Sequence, residues 1–118
     1  MEAMDKLFKW YISGAVSSDK DFRNKFTEAE RKLKADGYRV LNPVKGEKEG
    51  KIWSYYMKKD LKKLLKCNGI ILLPDWQDSE GAKLELSVAS QLGYRIRSFD
   101  GKTVQEMDAV VVYSVRKE

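Results

Sequence analysis

Gly69-Ile70-Ile71-Leu72-Leu73 runs without a polar side chain and is halted by Pro74. A strand that is apolar at every position must be covered on both faces, the situation of a central strand in a parallel sheet. The flanking segments supply the cover. Phe8-Lys9-Trp10-Tyr11-Ile12-Ser13, rich in aromatic and β-branched residues and ended by Gly14, reads as a second buried strand. Tyr38-Arg39-Val40-Leu41, closed by Asn42-Pro43, and Tyr94-Arg95-Ile96-Arg97 read as two more, and Ala109 to Val115 offers a fifth. Between them, Phe22, Phe26, Ala29 and Leu33 recur at helical spacing from about Ser18 to Asp36, with Ser18 and Asp19 as caps and Gly37 as the stop. A loop of Gly, Lys and Glu from Val44 to Lys51 leads into a helix from about Trp53 to Lys66. A third helix runs from about Ser79 to Leu92, stopped by Gly93. Strand and helix alternate three times, so the expected class is α/β, a parallel sheet with helices on both faces. At 118 residues, one domain spanning 1–118 is expected.

The residue inventory then narrows the chemistry. The chain has no His, which excludes Ser-His-Asp and Cys-His catalysis and the usual zinc sites. The single Cys67 excludes disulfide frameworks and paired-thiol redox centres, and reads as a small buried apolar group. Any catalysis must come from Asp, Glu, Tyr, Ser, Lys or Arg, and no metal or cofactor is expected. The net charge of +5 suits an anionic ligand. Much of that excess lies in Lys58, Lys59, Lys62, Lys63 and Lys66, whose spacing reads as one wet helix face. No base-stacking aromatics are interleaved with it, so a polynucleotide partner is not expected. No apolar run reaches membrane-spanning length, and Met1 to Lys9 lacks an apolar signal core, so a cytoplasmic protein without membrane contact is expected.

In a parallel α/β sheet, ligands bind beyond the C-terminal ends of the strands. Those ends are Ser13-Gly14-Ala15, Asn42-Pro43 and Pro74-Asp75-Trp76. Two acids near them sit where core residues belong. At about 100° per residue, Asp60 falls inside the stripe of Trp53, Met57, Leu61 and Leu64. Glu85 falls between Ala82 and Ala89 on the inward arc of the third helix, which Leu86 and Leu92 share. Burying an ionised carboxylate costs several kcal/mol unless it is paired or hydrogen-bonded. Backbone donors or an Arg partner would account for either acid alone. Both together, on helices flanking one central strand, point to a shared pocket. The helix start at Ser79 to Gly81 adds free backbone N–H groups and a positive dipole end suited to a phosphate, and Gly81 leaves room for close approach.

These motifs form an ordered set. Tyr11-Ile12-Ser13-Gly14-Ala15, Asn42-Pro43, Asp60 eight residues before Asn68, and Leu73-Pro74-Asp75-Trp76 followed by Ser79-Glu80-Gly81-Ala82-Lys83-Leu84-Glu85 and Ala89 resemble the nucleoside 2-deoxyribosyltransferase-like superfamily over roughly residues 8 to 97. The resemblance is nearest to a group of small bacterial and phage proteins, akin to nucleoside 5′-monophosphate N-glycosidases. It implies a flavodoxin-like or Rossmann-like three-layer fold with a four- to five-stranded, mainly parallel sheet. It further implies a homo-oligomer, dimer or higher, in which a neighbouring subunit completes each site, and cleavage of the bond between base and sugar in a nucleoside or nucleotide. Glu85 matches the family's nucleophile, Asp60 its helix carboxylate near sugar and base, and Tyr11 the strand-end tyrosine that holds the nucleophile. Asp78 is aligned with a further sugar-binding acid, and Ser79, with Ser13, with the phosphate-binding serine of the monophosphate-hydrolysing branch. Gly14, Gly81, Asn42 and Trp76 complete the expected substrate contacts. Gly14-Ala15 stands where many relatives have Gly-Pro.

Trp10, Trp76 or Tyr55 could stack on a base, although plain core packing accounts for each of them. Lys83 and Arg97 could neutralise a phosphate, or simply be wet surface charges. A catalytically silent nucleotide-binding or sensing module would keep the pocket without the chemistry. A nucleic-acid-binding protein using the lysine face is a third reading.

Overall fold

The structure is a computed structural model that describes residues 2–16 and 21–107. In chain order the elements are α1 (Glu2–Asp5), β1 (Lys9–Ser13), α2 (Phe22–Ala35), β2 (Arg39–Leu41), α3 (Trp53–Leu64), β3 (Gly69–Leu72), a 3-10 turn (Trp76–Asp78), α4 (Glu80–Gln91), β4 (Arg95–Phe99) and β5 (Val104–Glu106). The strand order is β2-β1-β3-β4-β5, with β5 antiparallel to β4 and every other pairing parallel. This is the flavodoxin-like order, which places its crevice between β1 and β3, where the chain reverses its direction of travel across the sheet.

The period-two alternation of the strands sorts their side chains between two cores. Trp10, Ile12, Ile71 and Phe99 face α2, packing with Phe26, Ala29 and Leu33. Tyr11, Ile70, Leu72 and Ile96 face the other way, against Leu64 of α3 and Ala82, Leu86 and Ala89 of α4. Tyr11 and Ser13 therefore point to the α4 side, and this parity delivers both hydroxyls to the site described below. All four residues of β3 are buried, as its unbroken apolar run requires. Gly69 opens β3 because the Trp10 ring lies over it: a Cβ there would stand 2.5 Å from Trp10 Cε3.

Several expectations need correction. Arg97 is not a wet surface charge. It is 9% exposed, and its guanidinium donates to Asp5 Oδ2 and Oδ1 at 2.9 and 3.2 Å, while Asp5 itself is 1% exposed. Trp10 Nε1 donates to the Asp5 carbonyl at 2.7 Å, so the short helix α1 is fastened to the sheet through one residue. Trp53, placed on the buried stripe of α3, is 55% exposed because it sits in that helix's first turn, and Leu92, the C-cap of α4, is 53% exposed. Lys63 leaves the wet face that Lys58, Lys59, Lys62 and Lys66 form, being only half-exposed and tied inward. The expected strand Ala109 to Val115 and the caps Ser18 and Asp19 lie outside the described residues. The edge strand β5 comes earlier, created by the turn in which Asp100 accepts from the N–H groups of Lys102 and Thr103, each at 2.8 Å. No helix among the described residues is long and apolar enough to cross a membrane.

Candidate active site

Glu85 sits on the buried side of α4, one turn beyond Ala82 and beside Leu86. It is 5% exposed. The Tyr11 hydroxyl donates to its Oε2 at 2.7 Å and the Ser13 hydroxyl to its Oε1 at 2.6 Å. Both donors come from alternate positions at the end of β1, so strand parity and helix periodicity converge on one carboxyl group. Burial pushes this carboxyl up to about 7; the Ser13 and Tyr11 hydrogen bonds pull it down, and the Glu47 charge pushes with burial. Tyr11 is held well above the ordinary phenol range, first by burial and then by the charges of Glu85 and Asp60.

Asp60, on the inner side of α3, is 8% exposed and lines the same cleft as Glu85. Its carboxyl is held far above the usual carboxylate range by burial, then by the neighbouring Glu47 carboxyl and the charge of Glu85, with Lys63 opposing. The two helix acids are thus brought to one cavity beside the middle strands. They do not stand alone there: Glu47, in the loop between β2 and α3, joins them on the cleft wall.

The cleft has a volume of about 1040 Å³. Gly14, Asp78, Ser79 and Gly81 line it together with Tyr11, Asp60 and Glu85. Ser79 Oγ accepts from the Ala82 N–H at 3.1 Å as the N-cap of α4. Gly81 has a packing reason beside any ligand: a Cβ there would meet Met57 Sδ of α3 at 3.0 Å. Gly14 is held close in the same way, since a Cβ would meet Leu73 Cβ at 3.0 Å and Asp75 Oδ1 at 3.1 Å. Asp75 accepts from the Ala15 N–H at 3.0 Å, tying the loop after β3 to the loop after β1. Because Ser79 carries the cap, Ser79→Ala should lower stability by about 1 kcal/mol in thermal unfolding.

Three expected contacts fall elsewhere. Ser13, expected with Ser79 at a phosphate, is 1% exposed, does not line the cleft and spends its hydroxyl on Glu85. Trp76 is buried among Tyr11, Leu72 and Leu86 on the α4 side of the sheet and does not line the cleft. Asn42 shapes the turn after β2, accepting from the Val44 N–H at 3.1 Å and donating to Glu30 at 3.2 Å. Of the aromatic residues named for base stacking, Trp10 is fully buried and Tyr55 points away, under Lys51 and Lys59. Besides Tyr11, the aromatic residues lining the cleft are instead Phe22, Phe26, Trp53 and Tyr56. Arg23 and Glu47 also line the cleft unforeseen. Exposure of Trp53 at the first turn of α3 is a helix-position signal the sequence did carry. Glu47 has none, since it lies in a Gly, Lys and Glu loop without periodicity.

Residues 8–98 match the family model described as Domain of unknown function (DUF4406). No curated protein matches the chain. Among solved structures, a 2-deoxyribosyltransferase from the psychrotolerant bacterium Bacillus psychrosaccharolyticus is similar at a TM-score of 0.63 and 18% identity, over 91% of this chain and 81% of that one. A conserved protein from Enterococcus faecalis V583 is similar at a TM-score of 0.57 and 20% identity, over 76% of this chain and 61% of that one. At these identities the likeness is one of fold.

Proposed function

Because the chain belongs to the DUF4406 family, a name that carries no chemistry, we propose its function from the site: cleavage of the N-glycosidic bond of a nucleoside or nucleoside 5′-monophosphate, through Glu85 as nucleophile. The observation that carries the reading is a buried carboxyl group, held by the hydroxyls of Tyr11 and Ser13, lining the same cleft as a second buried acid, Asp60, whose burial disfavours its charged form. Two carboxyl groups whose environments assign one to attack and the other to proton donation are the working parts of a retaining glycosidase.

In this reading an oxygen of ionised Glu85 bonds to C1′ as the bond from C1′ to the base nitrogen breaks. The bonding pair leaves with the base, which takes the Asp60 proton. The glycosyl ester is then opened by water, whose proton passes to Asp60, or by a second base, with net retention either way. Tyr11 and Ser13 fix the nucleophile and share its charge. Asp78, Ser79 and the N–H groups opening α4 take the sugar and a 5′-phosphate in this reading, and Gly14 lines the same cleft. Phe22, Trp53 and Tyr56 offer ring faces to the base. The fold likeness to a 2-deoxyribosyltransferase is consistent with this chemistry.

The deciding experiment incubates the protein with a panel of nucleosides and their 5′-monophosphates and follows free base by chromatography. Thermal stabilisation by a nucleotide without base release from any member would replace the enzyme with a binding module. Tyr11→Phe should move the acid limb of the rate profile upward, because one of the two donors that lower the Glu85 pKa is gone. The expected loss is roughly tenfold at neutral pH and less at alkaline pH. A loss that is uniform with pH would deny Tyr11 that role.

A further inference from the structure

Lys63 is the residue of the lysine-rich helix that turns inward. Its ammonium donates to the Pro43 carbonyl at 2.5 Å and to Glu47 Oε2 at 3.2 Å, and stands 4.0 Å from Asp60 Oδ1. The loop that carries Glu47 is fastened at other points too. Arg23 donates to the carbonyls of Val44 at 3.0 Å and Glu47 at 3.4 Å. Tyr56 donates to the Lys48 carbonyl at 2.6 Å and accepts from the Lys51 N–H at 3.1 Å. A loop tied down by three side chains delivers Glu47 to a fixed place on the cleft wall.

That place adjoins an orphaned atom. Asp60 Oδ1 is fully buried and receives no hydrogen bond from any N–H or O–H group among the described residues. Two ionised carboxylates have nothing to donate to each other, whereas a carboxyl and a carboxylate share one proton in a short bond. Lys63 links the two acids, at 3.2 Å from Glu47 Oε2 and 4.0 Å from Asp60 Oδ1, and the neighbouring Glu47 carboxyl can share a hydrogen bond with Asp60 only when one of the two is protonated. Lys63 then balances the single remaining negative charge.

We propose that Glu47 is a positioning residue: fixed by Lys63 and the anchored loop, it keeps Asp60 protonated and aimed into the cleft as the proton donor for the leaving group. The inference rests on the N-glycosidase reading of the site. The groups facing Asp60 are Glu47 from the loop, Lys63 from its own helix, Glu85 from α4 and Tyr11 from β1. Glu47 and Lys63 act on it with opposite sign, which a purely structural role would not reproduce. Burial and Glu47 favour the protonated form, whereas Lys63 favours the ionised one.

The test is a carboxyl NMR titration of Asp60 in the wild type, Glu47→Gln and Lys63→Met, the resonance being assigned with Asp60→Asn. Alongside it, the pH profile of base release is measured for the same proteins. Asp60 should titrate well above the ordinary carboxylate range in the wild type. It should fall by about one pH unit or more in Glu47→Gln and rise in Lys63→Met. The alkaline limb of the rate profile should move with it in each case. An Asp60 titration unchanged in Glu47→Gln, or a pH-independent loss of rate in that variant, would overturn the proposal. Failure of the wild type to release base from any substrate would count against the N-glycosidase reading, while the titration would still decide whether Glu47 controls the Asp60 proton.

Discussion

Glu85→Gln should stop base release, with a fall in rate of at least about 10³-fold. Glutamine has the same shape and keeps one carbonyl oxygen for the Ser13 or Tyr11 hydroxyl, and its NH2 group can donate to the other. The pocket therefore stays filled and hydrogen-bonded. What disappears is the anionic oxygen that bonds to C1′, which no neighbour is suited to supply: burial and the Glu47 carboxyl disfavour the charged form of Asp60, and the two hydroxyls at the end of β1 lose the carboxylate they donate to. Binding should survive, so nucleotide-dependent thermal stabilisation in the variant separates loss of chemistry from loss of the site. Asp60→Asn should be impaired severely for poor leaving bases and less for activated ones, because a good leaving group needs less protonation at the transition state. Turnover unchanged in Glu85→Gln would remove the nucleophile, and with it the covalent route.

The parts of this molecule that were legible in the sequence are those that depend on period and parity. The apolar run of β3 announced a strand covered on both faces, and the helical wheel placed Asp60 and Glu85 on inward arcs, where both are buried. The pairing of Tyr11 and Ser13 with Glu85 follows from β1 alternation once α4 is known to cover that face. The residues that escaped are held by contacts between separate elements. Arg97 read as surface because its partner, Asp5, lies in a helix of four residues, too short to leave a periodic trace. Glu47 escaped because its position is set by Lys63, Arg23 and Tyr56, three contacts that no local pattern encodes. Trp76 misled in the opposite sense. Its place after the β3 end suggested the crevice, but the 3-10 turn folds the indole back into the core.

Stability should fall as pH rises through neutrality, and Glu85→Gln should abolish much of that fall. The Glu85 carboxyl titrates at about 7 in the folded protein, against an ordinary value of 4.5. Between those values the folded chain keeps a proton that the unfolded chain has released. The folded state thus binds more protons, and unfolding becomes easier with every increment of pH. The stabilisation is complete below the unfolded value and gone once pH passes the folded one, a difference of ~3 kcal/mol for Glu85. Asp60 works in the same direction and extends the fall further into the alkaline range. At about pH 5 wild type and Glu85→Gln should therefore have similar melting temperatures. At about pH 8 the inactive variant should melt several degrees higher, since one kcal/mol shifts the midpoint of a chain this size by a few degrees. The experiment is a set of thermal unfolding curves for both proteins across that range. Parallel curves, with the wild type no less stable than the variant at alkaline pH, would mean that Glu85 is not held in a pocket that resists its charge. A nucleophile poised to react near neutral pH would then lack its physical basis, because the burial that raises its pKa is the same burial that strips water from the attacking oxygen.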